Sequence, residues 1–374
     1  MAEYTLKSFF SPGLVRRLAG EIARVHPKFA RNAFIAGACK GLDALELLDR
    51  GRHIARVLYD HLPPSYPEAV DVLLRSLGPE HATDELLGVG LAPFFYLPHT
   101  MIVAERGLDH FDLSMRAQYE LTKRFSAEAS IRPYIKADPE RVFAVLRGWA
   151  RDKNAHVRRL VSEGTRLRLP WAMRVPWLDA NPQRVLALLE LLKDDPASVV
   201  RRSVANSLND LGKVYPELLN RTCAAWLKDA SAERRALVEH ALRGAIKRGD
   251  GAALKLLGFG GKAAVSLENV RFEPRKVVIG GKVRMTFELR STASKPQELL
   301  VDVAVHFRKK SGGASPKVLK LKRLTLPAKG TAAFETRFSL AVHTTRVPQP
   351  GKHAVDVLVN GSRLPAGSFH VRAR

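Results

Sequence analysis

Two hydrophobic periodicities divide the chain. Up to about residue 260, apolar residues recur at helical spacing, as in Val142, Val145, Leu146 and Trp149, and again in Val185, Leu188, Leu189 and Leu192. Asp138-Pro139-Glu140 and Asn181-Pro182-Gln183 predict helix starts, each a capping residue followed by proline at the first helical position. Further on the pattern alternates with period two, through Val283, Met285, Phe287 and Leu289, then from Leu300 to Phe307. Val355 to Val359 followed by Asn360-Gly361 predicts a strand entering a tight turn. Gly258-Phe259-Gly260-Gly261-Lys262 reads as a linker. The expectation is an all-α domain over 1–258 and an immunoglobulin-like β-sandwich over 265–374.

The helical half repeats. Asp138-Pro139-Glu140-Arg141-Val142 realigns on Asn181-Pro182-Gln183-Arg184-Val185, and the same shift carries His156-Val157-Arg158-Arg159 onto Val199-Val200-Arg201-Arg202. A looser copy follows at Pro216-Glu217-Leu218-Leu219 and Glu233-Arg234-Arg235, and Tyr66-Pro67-Glu68 heads a possible earlier member. Two-helix repeats of this spacing predict a solenoid of the HEAT or armadillo kind with a concave face. The first clear copy is longer, and its excess maps to Arg166–Trp177, which carries two tryptophans and three arginines. Insertions of this kind fall on one face, often the binding face; the alternative is a connector whose tryptophans plug the core.

Composition narrows the partner. The 374 residues are 46% hydrophobic, enough for a packed core, and carry 61 Lys and Arg against 37 Asp and Glu, a net charge of +24. That excess points to a polyanion, either nucleic acid or an anionic membrane surface. No strongly basic amphipathic segment supports the membrane reading. Residues 265–374 hold 21 Lys and Arg against 7 Asp and Glu, so more than half of the excess lies on the smaller domain. Arg308-Lys309-Lys310, with Lys317 to Arg323 expected near strand ends, read as a clamp for that polyanion; a solubilising or protein-interaction module is the alternative.

Other chemistry is excluded. Cys39 and Cys223 are too few for a disulfide framework or a cysteine zinc cluster, and the 12 histidines lack ligand spacing, so no metal or cofactor is expected. No Walker A, GxGxxG-plus-helix or HExxH motif occurs. No 18-residue apolar stretch is present, and the start MAEYTLKSFF does not read as a signal peptide. A cytoplasmic, nucleoid-associated monomer is the expectation.

The repeat phase places candidate chemistry. On the second helix of one repeat, Arg159 and Glu163 are i,i+4 neighbours flanking the buried stripe of Val157, Leu160 and Val161. One repeat on, that flank carries Arg202, Asn206 and, a turn further, Asp210; the next carries Arg235 and Glu239. Arginine forks suit phosphates, but a carboxylate facing phosphate calls for a reason. One reason is a salt bridge within or between repeats. The other is catalysis, in which a carboxylate stabilises a developing sugar cation or orients water during glycosidic cleavage. An indole face could recognise a cationic base.

Three blocks carry a family resemblance: Ala155-His156-Val157-Arg158-Arg159-Leu160-Val161-Ser162-Glu163-Gly164-Thr165-Arg166-Leu167-Arg168-Leu169-Pro170-Trp171, Ser198-Val199-Val200-Arg201-Arg202-Ser203-Val204-Ala205-Asn206-Ser207-Leu208-Asn209-Asp210, and Phe125-Ser126-Ala127-Glu128-Ala129-Ser130-Ile131-Arg132-Pro133-Tyr134. Together they resemble the AlkC-type DNA alkylation repair glycosylases, over residues 120–215 with looser agreement through the helical half. The resemblance implies a HEAT-like solenoid related to AlkD. It implies hydrolytic excision of cationic N3-alkylated bases, chiefly 3-methyladenine and 3-methylcytosine, from double-stranded DNA, without conventional base flipping. By block match, Glu163, Asp210 and Glu128 would be the active-site acids, with Glu128 supported by its i,i+4 neighbour Arg132. Trp171 would be the aromatic contact, beside Asn206. Arg158, Arg159, Arg166, Arg201, Arg202 and Lys213 on the solenoid, and Arg308, Lys309 and Lys310 on the β domain, are the expected DNA contacts. The family's helical block does not require the β-sandwich. The competing expectation is a non-enzymatic HEAT scaffold binding DNA or an acidic protein.

Overall fold

A computed structural model describes residues 6–82, 92–342 and 347–373. The helices among them are Pro12–Val25 (α1), Arg31–Cys39 (α2), Leu47–Tyr59 (α3), Tyr66–Arg75 (α4), Leu97–Arg106 (α5), Phe111–Thr122 (α6), Arg132–Ala137 (α7), Pro139–Trp149 (α8), Ala155–Gly164 (α9), Pro176–Ala180 (α10), Pro182–Leu192 (α11), Ser198–Leu211 (α12), Pro216–Trp226 (α13), Ala232–Lys247 (α14) and Gly251–Leu256 (α15). None is long and apolar enough to cross a membrane, among the described residues. The strands are Val265–Glu273 (β1), Lys276–Val278 (β2), Lys282–Ser291 (β3), Gln297–Arg308 (β4), Ala314–Leu326 (β5), Thr331–Ser339 (β6), Gly351–Val359 (β7) and Ser362–Arg372 (β8).

The chain packs as two compact units. One comprises residues up to Val214 together with 229–241; the other comprises 215–228 and 242 onward. The predicted repeat pairs exist as α8 with α9 and α11 with α12, and α9 lies against α12. Val142 and Leu146 of α8, Val157, Leu160 and Val161 of α9, and Val185, Leu188, Leu189 and Leu192 of α11 are buried, as their spacing requires. Asp138 caps α8 by accepting from the Arg141 backbone N–H, and Asn154 caps α9 by accepting from His156 and Val157. Asn181 differs from the expectation. Its side chain donates instead to the Trp177 carbonyl at 2.8 Å, and leaves proline alone to start α11.

In the second unit, β1-β3-β6 form one sheet and β2-β8-β7-β4-β5 the other, antiparallel apart from the β2–β8 pair. Val283, Met285, Phe287 and Leu289 of β3 pack inward against Val301, Val303 and Val305 of β4 and Val355, Val357 and Val359 of β7. Asn360-Gly361 closes the β7–β8 hairpin, with φ of 50° and 76° at the two positions. On β4 the alternation gives way, because Asp302 and Ala304 of the outer face are buried as well. Burial raises the Asp302 carboxyl above its ordinary range, against the opposing pull of Lys320, its partner on β5. The helical part of this unit lies close: Phe259 sits under the Arg323 guanidinium, and Leu254 packs at the Gly361 turn.

Lys317 to Arg323 are not at strand ends. They run along β5, the edge strand, where alternating lysines also discourage pairing with another sheet. Arg308, Lys309 and Lys310 do lie where β4 turns into β5, and all three are exposed.

A Cβ at Gly361 would approach Leu254 Cδ1 to 2.5 Å and the Gly249 Cα to 3.3 Å, at a φ that disfavours any side chain. Gly361→Ala is therefore expected to destabilise the second unit by about 1–3 kcal/mol, read as a lower denaturant midpoint. An unchanged midpoint would contradict the close packing of the turn on α15.

Candidate active site

The site is built where α9 meets α12. Small hydroxyl residues let these helices approach: Ser162 Oγ donates to Ser203 Oγ at 2.7 Å, and Ser203 Oγ donates to Glu163 Oε2 at 2.6 Å. From there acids and bases alternate in a continuous line. Arg159 Nη2 is 3.0 Å from Glu128 Oε2 and 3.8 Å from Glu163 Oε2. Arg166 Nη1 meets Glu163 Oε1 at 2.5 Å, while its Nε meets Asp210 Oδ2 at 2.8 Å. Lys213 Nζ closes the line on Asp210 Oδ1 at 2.7 Å. Ser126 Oγ donates to Glu128 Oε2 at 2.8 Å at the other end.

All three acids named from sequence are thus brought together with Arg159, Arg166 and Lys213. Their exposure differs from the expectation. Glu163 was placed on an exposed flank by the repeat phase; it is 5% exposed, and Asp210 is 1% exposed. A helical wheel sees only a residue's own helix, and here the facing helix and the Arg166 side chain cover that flank. Carboxylates this buried need partners, and they have them: Arg166 for both, Ser203 for Glu163 and Lys213 for Asp210. The reciprocal effect appears on the bases. Burial works against the Arg159 cation, yet Glu128 and Glu163 outweigh it and hold it above its ordinary range. Burial likewise opposes the Arg166 cation, and Glu163 and Asp210 outweigh it.

Arg132 is a correction. It does not pair with Glu128, whose cationic partner is Arg159. Arg132 is buried and donates to three backbone carbonyls: Met173 from Nε at 2.7 Å, and Gly164 and Arg166 from Nη1 at 2.8 and 3.0 Å. Burial and the nearby Arg174 charge push it down to about 10. It fixes both ends of the insertion that carries Arg166 and Trp171. Arg168 and Arg174 pin the same insertion, Arg168 on Asp179 at 2.6 Å and Arg174 on the Leu167 carbonyl at 2.7 Å. These roles were unreadable in sequence, where arginine signals charge rather than carbonyl ligation.

The two tryptophans of the insertion part ways. Trp177 packs edge-to-face on Phe143, with centroids 5.0 Å apart, as a core plug would. Trp171 is 65% exposed and holds φ at +58°, a strained conformation for an aromatic residue. This unburied, strained indole lines one cleft together with Arg159 and Glu128.

Four other named residues stand apart from the line. Arg158 makes a two-pronged pair with the buried Asp195 at 2.6 and 2.9 Å, and Arg201 donates to the Asp195 and Pro196 carbonyls. Arg158 thereby ties α9 to the loop of the next repeat, and Arg201 braces the loop that starts its own helix, structural tasks the sequence reading did not separate from phosphate contact. Arg202 is exposed. Asn206 lies 3.1 Å from the His240 ring, and Arg201, Arg202 and His240 line a separate cleft between α12 and α14.

Arg166 is the shared cation of Glu163 and Asp210, so Arg166→Ala strands two buried carboxylates. The expected loss is about 3–5 kcal/mol in chemical unfolding of the helical unit, with Arg166→Lys milder. A loss below about 1 kcal/mol for the alanine variant would show that these pairs are solvent-accessible instead.

Comparison with known proteins places this arrangement. Residues 266–373 match the family described as "Uncharacterised protein YhaZ, C-terminal Ig-like domain". The chain is 31% identical to YhaZ of Bacillus subtilis (strain 168) over 367 residues, 98% of this chain and 99% of that protein. Its fold is similar to that of the Pseudomonas fluorescens alkylpurine DNA glycosylase AlkC, solved bound to DNA containing an abasic site analog. That match has a TM-score of 0.91 and 35% identity, and it covers 99% of this chain and 100% of that one. Both relatives therefore span the helical and the β units. With these full-length matches, the chain belongs to the AlkC-type DNA alkylation repair glycosylase family, in the form that carries a C-terminal immunoglobulin-like domain.

Proposed function

We propose that this chain is a monofunctional DNA glycosylase that releases cationic N3-alkylated bases, 3-methyladenine and 3-methylcytosine, from duplex DNA. The observation that carries the reading is the buried pair Glu163 and Asp210 bridged by Arg166, on the same unit as the strained, exposed Trp171. Alkylation at N3 leaves the base positively charged, so it departs with the electron pair of the glycosidic bond and becomes neutral without an acid. The positive charge passes to the deoxyribose as an oxocarbenium ion. A nearby carboxylate stabilises that cation and takes a proton from the water that adds at C1′. Chemistry of this kind needs no base pocket. HEAT-like concavity would hold a distorted duplex with the lesion left in place.

The arginines explain how acids can stand against DNA. With three acids matched by Arg159, Arg166 and Lys213, the line approaches phosphates as a neutral body. Arg159 and Lys213 reach the surface, and phosphates compete there for their charge. Each contact so diverted leaves the carboxylates more exposed electrostatically to the sugar. On the β unit, Arg308, Lys309 and Lys310 at the β4–β5 turn form the second contact to the duplex.

Release of free base from alkylated duplex DNA tests the reading. Glu163→Gln and Asp210→Asn are each expected to lower release by about 10²-fold or more while binding of an abasic duplex changes little. A non-enzymatic scaffold would bind DNA with steep salt dependence and release nothing. Normal release by both variants would remove the catalytic assignment. The β unit is tested in the full chain, because residues 242–261 pack with it and deletion would uncover them. The pair Lys309→Glu and Lys310→Glu is expected to weaken duplex binding and lower the slope of log affinity against log salt by roughly 1–2. Unchanged affinity and slope would return this unit to a role in protein interaction.

A further inference from the structure

The acids of the line are not all held alike. Asp210 meets two cations, Arg166 on Oδ2 at 2.8 Å and Lys213 on Oδ1 at 2.7 Å. Each glutamate instead combines one close cation with one serine. Glu128 Oε2 accepts from Arg159 at 3.0 Å and from the Ser126 hydroxyl at 2.8 Å. Glu163 accepts from Arg166 on Oε1 and from the Ser203 hydroxyl on Oε2 at 2.6 Å, with Arg159 further off at 3.8 Å. A hydroxyl fixes a carboxylate without cancelling its charge, whereas a cation does both. The Ser203 bond also crosses from α12 to α9, between buried groups. Ser162 Oγ donates to the Ser203 oxygen at 2.7 Å, which directs the Ser203 proton away from it, to Glu163. Ser162 Oγ also lies 3.0 Å from the Arg159 carbonyl. With the Ser203 proton committed to Glu163, only the Ser162 proton can fill the shorter contact.

We infer that Ser203 is a positioning residue for base release, its hydroxyl holding the Glu163 carboxylate in its working orientation with the negative charge intact. The inference rests on the glycosylase reading above and adds a residue to it. Asp210 lies about two turns beyond Ser203 on the same face of α12. One helix therefore carries Asp210 and the group that orients Glu163, and the spacing of the two acids follows from α12 rather than from a free rotamer. Without the hydroxyl, Glu163 Oε2 keeps only the distant Arg159, and the carboxylate turns toward that cation. Its charge is then spent on a guanidinium instead of on the developing oxocarbenium ion. Ser207 offers a matched comparison. It lies one turn beyond Ser203 in α12, is equally buried, and its hydroxyl has no hydrogen-bond partner among the described residues.

The test uses the full chain and duplex DNA carrying 3-methyladenine. Single-turnover release at saturating enzyme is set against affinity for an abasic duplex, for Ser203→Ala and Ser207→Ala. Ser203→Ala is expected to slow release by about 10-fold to 10²-fold while affinity stays within about 3-fold of the parent. Ser207→Ala removes an equally buried hydroxyl from the same helix and is expected to release base within about 3-fold of the parent. A melting temperature confirms the fold of each variant. Should Ser203→Ala fail to fold, Ser203→Cys replaces it; this change nearly keeps the volume, weakens the donor and is expected to slow release in the same direction. The inference is overturned if the folded Ser203 variant releases base within about 3-fold of the parent. It is equally overturned if Ser207→Ala is slowed as much as Ser203→Ala, or if the loss lies in affinity alone. A parent chain that releases no base overturns the glycosylase reading first, and this inference with it.

Discussion

The helical unit depends on one guanidinium placed between two buried carboxylates. Arg166 meets Glu163 and Asp210 from its two edges, so charges from α9, from the insertion and from α12 settle in one place. Isolated carboxylates at these positions would have to take up protons or drive the helices apart. Much of the nearby architecture serves to keep that guanidinium where it is. Arg132 holds the carbonyls of Gly164 and of Arg166 itself, and Ser203 supplies the remaining hydrogen bond to Glu163. Gly164 lets α9 end against the 128–131 turn, since a Cβ there would press Ile131 Cγ2 at 2.8 Å.

The arginines of this unit fall into two groups by what lies opposite them. Arg158 and Arg201 face Asp195 and neighbouring carbonyls at the loops that start second helices, Arg158 across to the next repeat and Arg201 within its own. Arg159 and Arg166 face the acids of the site. A net charge cannot separate these groups, because each contributes the same unit of charge. The surplus left for a polyanion is what the acids do not neutralise, and it lies disproportionately on the β unit.

Much of this was legible in the sequence. The change of period near residue 260, the two clear repeat copies at α8–α9 and α11–α12, and the Asn360-Gly361 turn each follow from local pattern, and each is present. The acids could be named because the repeat phase put Glu163 and Asp210 on one flank. Their burial could not, since it is imposed by a facing helix and by Arg166 three residues on. Arg132 was assigned to the neighbour that helical spacing suggested, whereas its partners are carbonyls more than thirty residues away in sequence. Asn181 failed as a cap for a similar reason, because Trp177 offered its side chain a nearer acceptor. The cleft beside Trp171 draws Leu48, Phe94 and Phe125 from distant segments, and no spacing rule connects them.

The central claim is that Glu163 and Asp210 act as one unit on the sugar rather than as struts between helices. Single-turnover release of 3-methyladenine by Glu163→Gln, Asp210→Asn and the double variant tests it most directly. Groups that act together are strongly non-additive, so the double variant should be slowed about as much as the worse single variant. Independent multiplication of the two losses, or release undiminished in every variant, would contradict the account.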